Sequence, residues 1–306
     1  MRSRQSFLIL QADVLRGLTS LQDESVDCVV TSPPYWKQRD YQVNGQIGRE
    51  RTYQEYVKRI VEVFGELRRV LKPTGTLWLN VGDTYLYKDL CCIPERIMLA
   101  MKDDGWILRN KDIWHKNNHI PSSVKDRLTS SWEPLYFFVK RKQYYFKLNA
   151  IRVPHKYPES LGDRPENGKT GKKRTGAPQG SRKGHPLGKN PGDFLEINTK
   201  PYKEAHFATF PPALPEFCIK ASCPPHGMVL DPFAGSGTTM MVAKQMGRSS
   251  IGIEINPDYV PLIKKRLGND PAVVHQIVPS PSPRLNVWAP LAPLPVVSVR
   301  KGRGMK

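Results

Sequence analysis

Apolar and polar positions alternate along most of the chain in two rhythms, one of about two residues and one of about 3.6. Residues 7–13, FLILQAD, read as a short strand, 14–21 as a helix, and 26–31, VDCVVT, as a buried strand halted by Ser32-Pro33-Pro34. Between 52 and 71 the apolar residues Tyr56, Ile60, Val63, Phe64, Leu67 and Val70 keep a helical period. Lys72-Pro73-Thr74-Gly75 is expected to close that helix before the strand TLWLNVG. Strand, helix, strand is the building unit of a parallel sheet.

A further helix is predicted over 93–104, with WILRNKDIWHK and EPLYFFVKRKQYYF (133–146) as strands near the sheet edge. Trp114, Trp132, Tyr136, Phe137 and Phe138 are expected in the core of that sheet. Regular patterning returns with 211–222, the strand MVLD (228–231), a glycine-rich turn, a helix over 238–246, the strand SIGIEI and a helix over 258–267.

Between these regions the character changes. Residues 161–192 hold eight Gly and eight Lys or Arg with almost nothing to bury, which predicts a loop or a segment disordered on its own. After Gly268 the chain turns Pro-rich and ends in RKGRGMK, a tail expected to have little fixed structure. The expected division is 1–150 as one half of a domain, 151–200 as a basic insertion, 201–268 as the other half, and 269–306 as a basic tail.

Charge narrows the partner. The 306 residues carry 47 Lys and Arg against 28 Asp and Glu, a net +19, which suits a polyanion and nucleic acid above all. Five cysteines without C-x-x-C spacing, and a start that lacks a signal peptide, point to a reducing, cytoplasmic setting. No apolar run approaches the ~20 residues of a membrane span. His206, Cys218, Cys223 and His226 match no common zinc spacing, so no metal site is expected.

Two loops carry the candidate chemistry. In MVLDPFAGSGTTMMVAKQMG a strand runs into Asp231, then a loop with Gly235 and Gly237, then a helix whose N-terminus presents free N–H groups. About twenty residues on, Glu254 ends the next strand, where a carboxylate can accept hydrogen bonds from both ribose hydroxyls. The spacing is neither G-x-G-x-x-G nor a phosphate loop with its lysine, so a nucleoside cofactor without a pyrophosphate fits better.

The second loop is Ser32-Pro33-Pro34-Tyr35, also at the carboxyl end of a predicted strand, where ligands of open α/β sheets gather. An exocyclic amino group is a poor nucleophile because its lone pair is delocalised into the ring. Acceptors for its two N–H groups, a Ser32 oxygen and the Pro33 carbonyl, would draw the nitrogen towards tetrahedral geometry and aim its lone pair at a methyl donor. Tyr35, with Trp36, offers an aromatic face to a base taken out of the duplex.

TSPPYW, followed far downstream by HFATFPPALPEFCIK, VLDPFAGSGTT and IGIEINPDYV, resembles the amino-methylating DNA methyltransferases. The order is the permuted one, with the catalytic loop before the cofactor loop, and the match spans most of 8–267. That resemblance implies a Rossmann-like S-adenosylmethionine-dependent methyltransferase fold, α/β with a mostly parallel sheet, helices on both faces and a basic target-recognition insertion. It implies S-adenosyl-L-methionine as cofactor, lined by Asp231, Phe233, Gly235 and Gly237, with Glu254 on the ribose and Asp13 near the adenine.

By the same resemblance Ser32, Pro33, Pro34 and Tyr35 form the catalytic loop, with Asn80 and Asp83 as helpers of Ser32. His206 to Pro211 shapes the methionine end, with Phe207 and Pro211 as weaker candidates. Lys172, Lys173 and Arg174 would bind DNA phosphates.

The implied partner is double-stranded DNA, with a partner restriction endonuclease, and a monomer or a homodimer, left open. Members with Ser at the first loop position usually act on cytosine N4, and those with Asp or Asn on adenine N6. Methylation at cytosine C5 uses a Pro-Cys pair, and no cysteine here follows a proline. A methyltransferase acting on RNA, and a basic DNA-binding protein with a decayed cofactor site, are the remaining readings; intact SPPY and DPFAGSGTT loops argue against decay.

Overall fold

The computed structural model describes residues 5–155, 185–199, 210–268 and 272–277. Nine strands form one sheet in the order β11-β1-β10-β9-β2-β3-β7-β6-β8. They are β1 (Phe7–Gln11), β2 (Val26–Thr31), β3 (Leu71–Asn80), β6 (Ile107–His115), β7 (Trp132–Val139), β8 (Phe194–Glu196), β9 (Met228–Asp231), β10 (Ser249–Glu254) and β11 (Ala272–Gln276). β4 (Tyr85–Leu86) and β5 (Asp89–Leu90) make a separate hairpin. All neighbouring pairs in the nine-stranded sheet are parallel except those of β7 with β3 and with β6.

Among the described residues six α-helices cover the sheet: α1 (Val14–Thr19), α2 (Tyr53–Val70), α3 (Ile93–Asp103), α4 (Ala213–Ser222), α5 (Thr238–Gln245) and α6 (Tyr259–Leu267). Strand periodicity divides the core between the two faces. Val29, Leu77, Leu79, Tyr136 and Phe138 pack with α2 and α3, while Cys28, Val30, Trp78, Leu135 and Phe137 pack with α4 and α5. α2 holds its start with a capping box, in which Thr52 accepts from the Glu55 amide and Glu55 from the Thr52 amide.

Four expectations change. α2 ends before Lys72, but the strand starts earlier than predicted, and Lys72–Gly75 is a bulge within β3, four residues set against the single Asp27 between Val26 and Cys28 of β2. The Lys72 ammonium fastens it to Asp27 at 2.8 Å, and Pro73 sits where the ladder needs no donor. β7 stops at Val139; the rest of the predicted strand folds back so that Tyr144 and Phe146 pack around the Phe137 ring at 5.7 and 5.6 Å.

Trp132, expected in the core, is 45% exposed because it opens β7 at the sheet's rim; Trp114, Tyr136, Phe137 and Phe138 are buried. Both edges of the sheet come from residues not predicted as strands, one just past the Gly/Lys-rich 161–192 segment and the other within the tail expected to have little fixed structure. Phe194–Glu196 pairs with β6, and Ala272–Gln276 pairs residue for residue with β1, where β-branched Val273 and Val274 favour an extended edge.

A candidate active site at the carboxyl edge of the sheet

β2, β3, β9 and β10 are parallel neighbours, so Thr31, Asn80, Asp231 and Glu254 all end at one edge. A cavity of about 280 Å³ opens there, lined on one side by Ser32, Pro33, Tyr35 and Asn80 and on the other by Asp231, Phe233, Gly235, Ser236 and Thr238. A smaller cavity of about 90 Å³ adjoins it, lined by Asp13, Val14, Pro34, Ile47, Glu254 and Ile255. Ser32, Tyr41, Phe233, Gly235 and Tyr259 border both.

The proline loop is held from behind. Tyr56 donates its hydroxyl to the Pro34 carbonyl at 2.8 Å, and the Trp36 indole donates to the Glu50 carbonyl at 3.0 Å. The Tyr35 ring lies on Gly82, where an added Cβ would come within 2.3 Å of ring carbon Cε2.

A chain of hydrogen bonds then reaches Ser32. Glu133 Oε2 accepts from Tyr35 Oη at 2.9 Å and from Asn80 Nδ2 at 3.0 Å, and Glu133 Oε1 pairs with the Lys116 ammonium. Asn80 Oδ1, at 3.0 Å from Tyr35 Oη, and the Glu133 carboxylate can only accept, so the Tyr35 proton turns to that side and the Tyr35 oxygen is left to accept from Ser32 Oγ at 3.3 Å. Ser32 thereby points its own O–H at Tyr35, and its lone pairs are what it offers the cavity. Burial and the Glu133 charge both raise the Tyr35 pKa well above the ordinary value, which keeps that proton in place.

On the other wall Asp231 is buried and fully engaged. Its Oδ1 accepts from Thr31 Oγ1 at 2.7 Å and from the Phe233 amide at 3.1 Å, and its Oδ2 accepts from Thr239 Oγ1 at 2.7 Å. Burial lifts its pKa to about 6. Glu254 accepts from the Gly235 amide at 2.7 Å and the Asn256 amide at 2.8 Å, and burial lifts its pKa to about 7.

Gly235, at φ +50, has open space where a side chain would go. Gly237 is in neither lining, between Ser236 and Thr238 that line the larger cavity; its φ of +81 and the 3.0 Å from a built Cβ to Ile263 suit it to a tight turn packed against α6. Asp13 caps α1 by accepting from the Leu15 amide at 3.0 Å, and its carboxylate stays at the smaller cavity.

Asp83 lies outside both linings, accepting from the Ile93 amide at 3.1 Å, whereas Asn80 lines the larger cavity. Pro211 is buried just ahead of α4, and its neighbour Phe210, not singled out from sequence, lines the larger cavity. Lys172, Lys173, Arg174, His206 and Phe207 fall outside the described residues. Glu133 and Lys116 were missed; the only trace was a polar residue at each facing end of two aromatic strands.

The sequence model of the DNA methylase family matches residues 26–265. This chain belongs to that family. Among relatives of the methylase, the type II methyltransferase M.SmaI of Serratia marcescens is 37% identical over 292 residues, covering 86% of this chain and 91% of that one. M.XycI of Xanthomonas campestris pv. cyanopsidis is 38% identical over 288 residues, covering 85% and 87%.

Solved structures share the fold. The cytosine-N4-specific PvuII DNA methyltransferase superposes with a TM-score of 0.66 at 22% identity, covering 87% of the methylase and 88% of its own chain. TTHA0409 of Thermus thermophilus, complexed with S-adenosyl-L-methionine, gives 0.60 at 22% identity over 90% and 100%. The fold is that of the S-adenosylmethionine-dependent methyltransferases. Among the described residues no helix is long and apolar enough to cross a membrane, and no cluster of three or more His, Cys, Asp or Glu could hold a metal.

Proposed function

We propose that the methylase transfers a methyl group from S-adenosyl-L-methionine to the N4 amino group of a cytosine in double-stranded DNA. One observation carries this reading: Ser32, an acceptor with its own proton turned away, stands across one cavity from the Asp231–Ser236 loop. The residues fit the cofactor, since Glu254 holds a buried carboxylate at the smaller cavity and Val14, Ile47 and Ile255 give that cavity apolar walls.

When bound, S-adenosyl-L-methionine supplies an activated methyl group. Asp13, Phe233 and Glu254 bind and orient it. Ser32 Oγ and the Pro33 carbonyl accept hydrogen bonds from the two N–H groups of the base's amino nitrogen, and Glu133 acts through Tyr35 to keep Ser32 in the accepting sense. Tyr35 adds a face for the extruded base. The basic insertion, with Lys172, Lys173 and Arg174, contacts DNA phosphates in the cytoplasm.

Cytosine is favoured because position 32 is Ser, and PvuII methyltransferase, of the same fold, is cytosine-N4-specific. The type II relatives favour a role beside a restriction endonuclease. Digestion of methylated DNA to nucleosides, followed by mass identification, is expected to give N4-methylcytosine; N6-methyladenine would overturn the base assignment. Mapping the modified positions by sequencing yields the recognition sequence.

A further inference from the structure

Of the twelve large apolar side chains that stand exposed among the described residues, seven fall at 85–90 and 120–132. These are the β4–β5 hairpin, the connection from β6 to β7 and Trp132, the first residue of β7. Tyr87 is 96% exposed, Leu128 90% and Ile120 87%. Side chains this apolar, gathered on two neighbouring segments, mark an interaction surface.

Both segments grow out of the wall of the larger cavity. The hairpin follows Asn80, and the connection leaves at Lys116 and returns at Glu133, all three of which line that cavity. The segments also grip one another: Lys88 pairs with Asp126 at 2.8 Å, and the Arg127 guanidinium stands 4.0 Å from the centre of the Tyr85 ring.

The hairpin tip is strained. Tyr87 and Lys88 form its two-residue loop with φ +51 and +68, a left-handed turn that Asn-Gly would fill with less cost. Strain of this kind persists where surroundings or function demand it, and here it holds an aromatic ring out in solvent.

We propose that the hairpin and the 117–131 connection form a wedge that enters the DNA duplex beside the target base. Tyr87, Ile120 and Leu128 fill the gap and stack on the bases left behind when the target moves into the cavity. Apolar wedges are a recurrent means of unstacking a base step. Exposed Lys88, Lys125 and Arg127 stand beside these tips, where phosphates would pass. Side chains projecting from turns suit insertion between bases better than pairing with a second copy, which needs a contiguous face of ~800 Å².

The inference rests on the DNA methyltransferase reading and is tested apart from it. Tyr87→Asn and Leu128→Ser are compared with the full-length wild type on duplexes carrying the mapped recognition sequence, with 2-aminopurine beside the target base. Wild-type binding should brighten the probe. Each variant should lose most of that rise and bind DNA about tenfold more weakly, the effect of losing one stacking side chain.

S-adenosyl-L-methionine affinity should not change, and a mispaired target should restore much of the signal. Tyr87→Asn should melt no lower than wild type, because Asn tolerates the left-handed turn. Wild-type brightening and affinity in both variants would overturn the wedge. So would unchanged DNA binding with a Leu128→Ser shift from dimer to monomer in sedimentation, which assigns the surface to a second copy. Wild-type protein that leaves no methyl group on any DNA would instead overturn the underlying reading.

Discussion

Thr31 Oγ1 donates to Asp231 Oδ1 across 2.7 Å, joining the last residue of the strand before the proline loop to the last residue of the strand before the glycine loop. The two positions are 200 residues apart in sequence, and this bond fixes the two loops against each other at the edge of one sheet. Thr31, Thr239 and the Phe233 amide all donate to the Asp231 carboxylate, so it also ties β2, α5 and the glycine loop together.

Thr31→Val keeps the shape of that residue and removes the bond. It should cost about 1–3 kcal/mol in urea unfolding, because a buried acceptor loses a donor. Binding of S-adenosyl-L-methionine should weaken in the same variant, read by calorimetry. Full affinity in a destabilised protein would separate the fold from the site.

Glu254 gives a pH dependence with a definite sign. Its folded pKa of about 7 is raised by burial above its ordinary 4.5, so between those values the folded protein holds a proton that the unfolded chain has lost. Unfolding free energy should therefore fall as pH rises through that window and level off above it. A ligand whose ribose hydroxyls donate to the carboxylate favours the ionised form, so its affinity should rise through pH 7 with release of a proton. In Glu254→Gln that part of both slopes should vanish, as calorimetry in two buffers would show.

Ser32→Ala should slow single-turnover methyl transfer by about 10²–10³ while DNA and cofactor still bind, the scale of one hydrogen-bonding group aimed at the reacting centre. Glu133→Gln should fall between this variant and wild type, because an amide can turn its N–H towards Tyr35 and reverse the chain of donors. Equal rates for Glu133→Gln and wild type would free Ser32 from that chain.

Gly82→Ala should act through Tyr35. The added carbon would collide with the ring at 2.3 Å, at a cost of about 1–3 kcal/mol, and push the hydroxyl away from Glu133. Pairing it with Tyr35→Ala should recover most of the lost stability, measured as a double-mutant cycle in thermal unfolding.

Deleting residues 168–184, which contain Lys172, Lys173 and Arg174, should leave cofactor binding intact. DNA affinity should drop, with a shallower dependence on salt, because fewer counterions are released. An unchanged salt slope would make the segment a spacer.

Much of the scaffold was legible because its signals are local. The periodicity of α2, the proline stop after Thr31 and the glycine turn after Asp231 each lie within a few residues of the feature they specify. Glu133 and Lys116 were not legible, since Glu133 meets Tyr35, and Lys116 meets Glu133, only once β7 and β6 have paired beside β3. β11 was hidden by its surroundings: five residues between Pro271 and the Pro-rich run from Pro279 resemble a linker until β1 supplies a partner. Gly237 shows the opposite case, where a motif position is filled by packing against Ile263.

The order of the sheet has a consequence for the protein during its synthesis. β1 finds its neighbours in β10 and β11, and β9 fits between β2 and β10, so two late strands, β9 and β10, fill the gap between β1 and β2, while β11, later still, covers the outer side of β1. On the ribosome the first 150 residues present β1 without either partner and β2 with one open edge. Those edges stay exposed until residues 228–276 emerge, the state most prone to aggregate. A nonsense mutation anywhere before the glycine loop should therefore yield a chain for chaperones and proteases, not a smaller working half.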